Sequence, residues 1–156
     1  MKIIGLDPGL NCTGWGVLSI DKDIQLIDKG VIITNRKETT SQRLNKIHVD
    51  LLRILKLHSA DSASMEEVFV NKNPKSSISL CYARGILLLT LNIINIPVFE
   101  YSTNHVKKSV TGNGHAKKEQ VHFMVEKILN IKCLGAYDIS DAIAVALCHA
   151  YSRKNF

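Results

Sequence analysis

Four cysteines in 156 residues (Cys12, Cys81, Cys133 and Cys148) stand far apart, and none forms a Cys-x-x-Cys pair. That spacing argues against a zinc site or a disulfide framework and fits a reducing, cytoplasmic setting. The longest uncharged run, Gly85 to Phe99, is interrupted by Pro97 and falls short of the ~20 residues that span a bilayer, so no membrane association is expected. No basic n-region followed by an apolar h-region opens the chain, and no secretory signal is expected. Repeats at solenoid or propeller periods are missing, as are low-complexity tracts. No Gly-x-Ser-x-Gly elbow or Walker loop occurs, which removes the common serine-hydrolase and P-loop readings. The histidines at 48, 58, 105, 115, 122 and 149 have no ligand spacing and read as surface or packing residues.

Acidic residues are scarce in one long stretch. Between Val68 and Lys118 lie Lys72, Lys75, Arg84, Lys107, Lys108, Lys117 and Lys118, against Glu100 alone. Seven positive charges minus one negative equal the whole chain's net +6. Charge of one sign concentrated in this way is the footprint of a face that binds a polyanion.

What is present is ordinary globular sequence, 46% hydrophobic and 22% charged, long enough for one domain that buries roughly two thirds of its chain surface. Residues 2–7 read as a buried strand ended by Pro8-Gly9. Gly14 to Ile20 and Ile24 to Thr34 read as two further strands, joined as an antiparallel hairpin through Asp21-Lys22-Asp23. Leu44, Ile47, Leu51, Ile54 and Leu55 then recur at helical steps behind the cap candidates Thr39, Thr40 and Ser41. A strand is expected around Ser64–Phe69. A helix from Ser76 to Asn95 follows, apolar nearly all round and so buried in the core or against a second subunit, of which a dimer contact is favoured. Pro97 to Tyr101 reads as a fifth strand, followed by helices over Lys117 to Asn130 and from about Asp138. The pattern predicts an α/β fold: a mixed five-stranded sheet, hairpin plus parallel strands, with helices on both faces.

Four carboxylates stand at the ends of these apolar elements. Asp7 closes the first strand, Glu66 follows Ser64-Met65, and Asp138 and Asp141 head the last helix. Each has a plain structural explanation: a turn former for Asp7, a cap and dipole partner for Asp138 and Asp141, an edge-strand charge for Glu66. Strand parity leaves open whether Glu66 or Glu67 points inward. Jointly they say more. Positions i and i+3 of a helix share a face. Parallel pairing of strands one and four would bring Asp7 and Glu66 to the carboxyl end of the sheet, where α/β sheets bind ligands. Clustered anions repel unless a cation joins them, and a hard divalent ion such as Mg²⁺ takes oxygen ligands. Beside a basic stretch, that chemistry is metal-dependent cleavage of a phosphodiester.

The residues Asp7-Pro8-Gly9 with Thr13-Gly14-Trp15-Gly16, Glu66-Glu67-Val68-Phe69, Ala83-Arg84-Gly85, Val106-Lys107-Lys108, Gly112-Asn113-Gly114 through Lys118-Glu119-Gln120-Val121, and Asp138-x-x-Asp141-Ala142 resemble the RuvC family of Holliday junction resolvases, in order and from end to end. The resemblance implies an RNase H-like fold over residues 1–156 and a homodimer that binds a four-way DNA junction in recombination and repair. It further implies two symmetric nicks made by Mg²⁺-dependent hydrolysis, with two ions per subunit and Mn²⁺ as a possible substitute. By motif position the catalytic and metal-binding carboxylates would be Asp7, Glu66, Asp138 and Asp141, with the Glu-x-Val-Phe spacing selecting Glu66 over Glu67. Phe69 would stack on bases near the junction centre, an interaction of about 1–3 kcal/mol per base. Lys107 and Lys118 would position the scissile phosphate, and Lys72, Lys75, Arg84, Lys108 and Lys117 would complete the DNA-binding set. A branch-migration helicase complex of RuvA and RuvB type is the implied partner. Asn11-Cys12 departs from the basic residue relatives often carry there, and Ile139-Ser140 from their usual small pair. The same residues admit an RNase H-like nuclease acting on RNA-containing substrates, or a non-catalytic junction-binding module.

Overall fold

Alternation along Lys2–Asp7 (β1) sends Ile3 to one side of a sheet and Ile4 and Leu6 to the other, all three fully buried. Residues 1–68, 74–132 and 136–154 are described by the computed structural model of the chain. Cys12–Ile20 (β2) pairs antiparallel with β1 and with Ile24–Ile33 (β3), forming the expected hairpin. Ser62–Glu66 (β4) lies parallel to β1, and Val98–Tyr101 (β5) parallel to β4. The sheet order is β3-β2-β1-β4-β5, mixed and five-stranded as expected. The fourth strand begins and ends earlier than its apolar run suggests, and Phe69 lies outside the described residues.

One face of the sheet is covered by Thr40–His58 (α1) and Pro74–Ile93 (α2), whose Ile47, Leu51, Leu55, Ala83, Leu87 and Leu91 pack on Ile4, Leu6, Trp15 and Val17. Thr39 caps α1 through a capping box with Gln42. The other face carries Thr103–Thr111 (α3), Lys118–Leu129 (α4) and Tyr137–Lys154 (α5), packed on Ile3 and Leu18. Helix α3 was not foreseen from sequence. Its Ser102 cap, the Val106 and Val110 pair at i and i+4, and the left-handed Gly112 (φ 77°) that stops it are local signals, but nine residues give too short a period to read.

Within a single chain, helix α2 is buried on one side only. Its inner face is buried against α1, while Ile78, Tyr82, Leu89 and Ile93 are about half exposed. At 100° per residue these four fall on one stripe. Ser76–Ile93 is long and apolar enough to cross a membrane by length and composition alone. It nevertheless packs on α1 and carries Arg84 at its middle.

The sheet meets α5 with almost no gap. A Cβ on Gly5 would stand 1.9 Å from the Ala142 carbonyl oxygen, and one on Gly14 2.0 Å from that of Asp138. Further along, buried His149 ties α5 to the parallel strands. Its Nε2 is 3.3 Å from Ser62 Oγ, its Nδ1 2.6 Å from Tyr101 Oη, and its ring stacks on Phe99 at 4.3 Å. Burial holds this imidazole down to a pKa of about 4, so it is neutral.

Candidate active site

Period-two alternation decides which face each acid occupies. On β1, Ile4 and Leu6 face α1 and α2, so Gly5 and Asp7 face α5. On β4, Ala63 and Met65 face α1 and α2, so Ser62, Ser64 and Glu66 face α5. The parallel register Leu6–Met65 then sets Asp7 and Glu66 side by side at the carboxyl ends of adjacent strands. Gly14, the register partner of Asp7, lets the first turn of α5 approach closely enough to bring Asp138 and Asp141 over the same end. Asp7, Glu66, Asp141, Lys107 and Lys118 line a single cleft of about 410 Å³. Asp138 lines the adjoining cleft with Cys12 and Arg43.

The electrostatics of this cluster are those of an anion site short of cations. Burial, then repulsion from Asp141 and Asp138, raises the Asp7 pKa from 3.8 to about 8, with Lys118 opposing. Burial also raises Glu66 and Asp141; a hydrogen bond from Thr103 offsets part of the first, and Lys118 part of the second. Three of the acids have found local donors. Lys118 Nζ lies 2.7 Å from Asp141 Oδ2, Thr103 Oγ1 donates to Glu66 Oε1, and Cys12 Sγ donates to Asp138 Oδ2 at 3.4 Å. Burial and Asp138 push the Cys12 thiol up to about 11, so it remains a donor. No three carboxylate, imidazole or thiol side chains among the described residues converge tightly enough to grip an ion as they stand. The donor set still fits a hard divalent cation. It is all carboxylate oxygen, burial and mutual repulsion raise the pKa of its most buried member, and the Lys118 ammonium, hydrogen-bonded to Asp141, also interacts electrostatically with Asp7 and Asp138.

The basic residues divide. Lys107 and Lys118 belong to the cleft. Lys108 and Lys117 are exposed on α3 and just ahead of α4. Arg84 is turned inward: its side chain is 14% exposed, its Nη2 pairs with Glu100, and its Nη1 donates to the Glu66 carbonyl oxygen at 2.8 Å. Phe69 and Lys72 lie outside the described residues, as does the side chain of Lys75. Sequence reasoning missed Thr103 and assigned no role to the Cys12 thiol. Neither has a signal of its own, because each acts through a partner that only the fold brings near.

The family model for crossover junction endodeoxyribonuclease RuvC matches residues 3–149. A protein of that name from Ehrlichia chaffeensis is 77% identical over the full length of both chains, and one from the Wolbachia of Brugia malayi is 48% identical over 99% of this chain and 97% of its own. Among solved structures, Thermus thermophilus RuvC in complex with a Holliday junction substrate superposes with a TM-score of 0.92 at 31% identity, covering 99% of this chain and 96% of that one. A sheet of this order with helices on both faces and acids at its carboxyl end is the RNase H-like fold, and the chain belongs to the RuvC family of crossover junction endodeoxyribonucleases.

Proposed function

We propose that this chain resolves four-way DNA junctions by hydrolysing two phosphodiester bonds, one on each of two opposed strands. The observation that carries the reading is the gathering of Asp7, Glu66 and Asp141 in one cleft with Lys107 and Lys118, with Asp138 at its border, in a chain 31% identical to a relative solved with its junction substrate. Asp7, Glu66, Asp138 and Asp141 would hold Mg²⁺, two ions per subunit, with Mn²⁺ able to substitute. Bound there, the ions supply an activated water and neutralise the leaving 3′-oxygen. The protein's own part is to release the proton held on Asp7 as the cations enter, to keep Glu66 oriented through Thr103, and to place the phosphate with Lys107 and Lys118. When Lys118 leaves Asp141 for the phosphate, its ammonium meets the charge that develops in the transition state.

Two nicks need two sites. The stripe Ile78, Tyr82, Leu89 and Ile93 suits a second copy of the chain, since an exposed apolar stripe of this length needs covering. Gly85 lies on the same stripe with open space around it, where another helix can approach closely. A branch-migration complex of RuvA and RuvB type and a cytoplasmic location belong to the same reading.

The test is cleavage of an end-labelled four-way junction in Mg²⁺ or EDTA by the wild type and Asp7→Asn, with linear duplex as control. Paired nicks on opposed strands that require both Mg²⁺ and Asp7 are expected. Junction binding with no cutting in any divalent metal would make the chain a binding module and return the four acids to caps and turns.

A further inference from the structure

The end of β4 carries a backbone problem that the sheet does not solve. Successive strand residues turn their backbone groups to opposite neighbours. Ala63 donates to Pro97 and Glu67 to Tyr101, both on the β5 side. Glu66 therefore turns its carbonyl toward β1. Continuing the Leu6–Met65 register puts Pro8 in the donor's place, and proline has no N–H to give. The ladder stops one rung short of the residue whose side chain belongs to the acid cluster.

Arg84 fills that place. Its Nη1 donates to the Glu66 carbonyl at 2.8 Å, and its Nη2 is anchored by Glu100 on β5. Its side chain is 14% exposed, too enclosed to stand as an open phosphate contact. We propose that Arg84 is a positioning residue for Glu66, substituting for the ladder hydrogen bond that Pro8 cannot make, rather than a DNA contact. Glu66 is then held twice: its backbone by Arg84, its carboxylate by Thr103. This rests on Glu66 being one of the metal-binding carboxylates.

The experiment compares wild type, Arg84→Gln, Arg84→Lys, Glu100→Gln and Glu66→Gln on the same labelled junction. Affinity and its salt dependence are read in EDTA, and single-turnover cleavage at saturating protein across a Mg²⁺ titration. Misplacing a reacting group by about 1 Å costs about 100-fold. We expect Arg84→Gln to lose 10- to 100-fold in saturated rate and to need several-fold more Mg²⁺, with junction affinity within about twofold and an unchanged salt slope. Arg84→Lys, which keeps a donor, recovers part of the rate, and Glu100→Gln shows a smaller loss in the same direction. A weakened affinity with a salt slope reduced by about one, and a saturated rate like wild type, would make Arg84 a phosphate contact. A lowered Tm with unaltered rate and Mg²⁺ dependence would make it only structural; either result overturns the proposal. Should Arg84→Gln fail to fold, Arg84→Lys and Glu100→Gln carry the same test. Cleavage by Glu66→Gln at the wild-type rate would instead overturn the assignment of Glu66, whatever Arg84 does.

Discussion

Replacing Asp7 with asparagine should stabilise the metal-free protein while destroying its activity. In the native cluster burial and the neighbouring acids raise the Asp7 pKa from 3.8 to about 8. Between those values the folded state holds a proton that the unfolded chain has released, so wild-type stability falls as pH rises. At about 1.36 kcal/mol per pH unit the full shift amounts to about 5–6 kcal/mol. Asp7 sits at a half-open cleft where water and side-chain relaxation screen the charge, so about 2–3 kcal/mol is the better figure. Asparagine keeps the shape and has no charge to suppress. Unfolding should be followed by urea or heat in EDTA, at fixed protein concentration, at pH 5 and pH 8. We expect the gain from Asp7→Asn to be about 2–3 kcal/mol larger at pH 8 than at pH 5, a Tm difference of about 5–10 °C for a chain of this length. Comparing the two pH values cancels any constant cost of the amide. Adding Mg²⁺ at pH 8 should stabilise the wild type more than the variant. Equal gains at both pH values, or equal stabilisation of both proteins by Mg²⁺, would refute the electrostatic account of the site.

His149 sets the opposite slope. Its native pKa of about 4 lies below the ordinary 6.5, so stability is lost as pH falls through that window, by up to about 3 kcal/mol; urea titrations in the Asp7→Asn background should show this, and replacement by Gln should flatten it. Gly14→Ala places a methyl 2.0 Å from the Asp138 carbonyl, which must push the start of α5 off the sheet. We expect at least a 100-fold loss of cleavage with junction binding retained in EDTA, measured by gel shift. Leu89→Glu puts a charge in the exposed stripe of α2, and sedimentation should find the variant shifted toward monomer.

Most of the fold was legible because long elements carry a full period. Helix α1 announces itself through Ile47, Leu51 and Leu55 behind a Thr39 cap, and the hairpin through two strands flanking a charged turn. Helix α3 and the true limits of β4 were not legible. The first is too short, and the second runs into an apolar stretch that sequence alone cannot divide. The acid quartet could be suspected from its placement at element ends, yet strand parity does not separate Glu66 from Glu67, and the Glu-x-Val-Phe spacing selects Glu66 only through the family resemblance. That choice depends on which face of β4 meets α5. Arg84 is the residue whose placement only the fold could give. A lone cation in an apolar helix beside a basic stretch reads as a DNA contact, and its turn toward the Glu66 carbonyl follows from a proline far away in sequence.

The seating of α5 on Gly5 and Gly14 also orders events in time. Asp7 and Glu66 are made early, and Lys107 before α4 and α5 exist. Asp138 and Asp141 reach the site only when a helix late in the chain docks on the sheet. A growing chain thus carries its basic stretch before it owns the full acid set. With Asp138 and Asp141 holding metal as proposed, cleavage waits on the docking of the last helix.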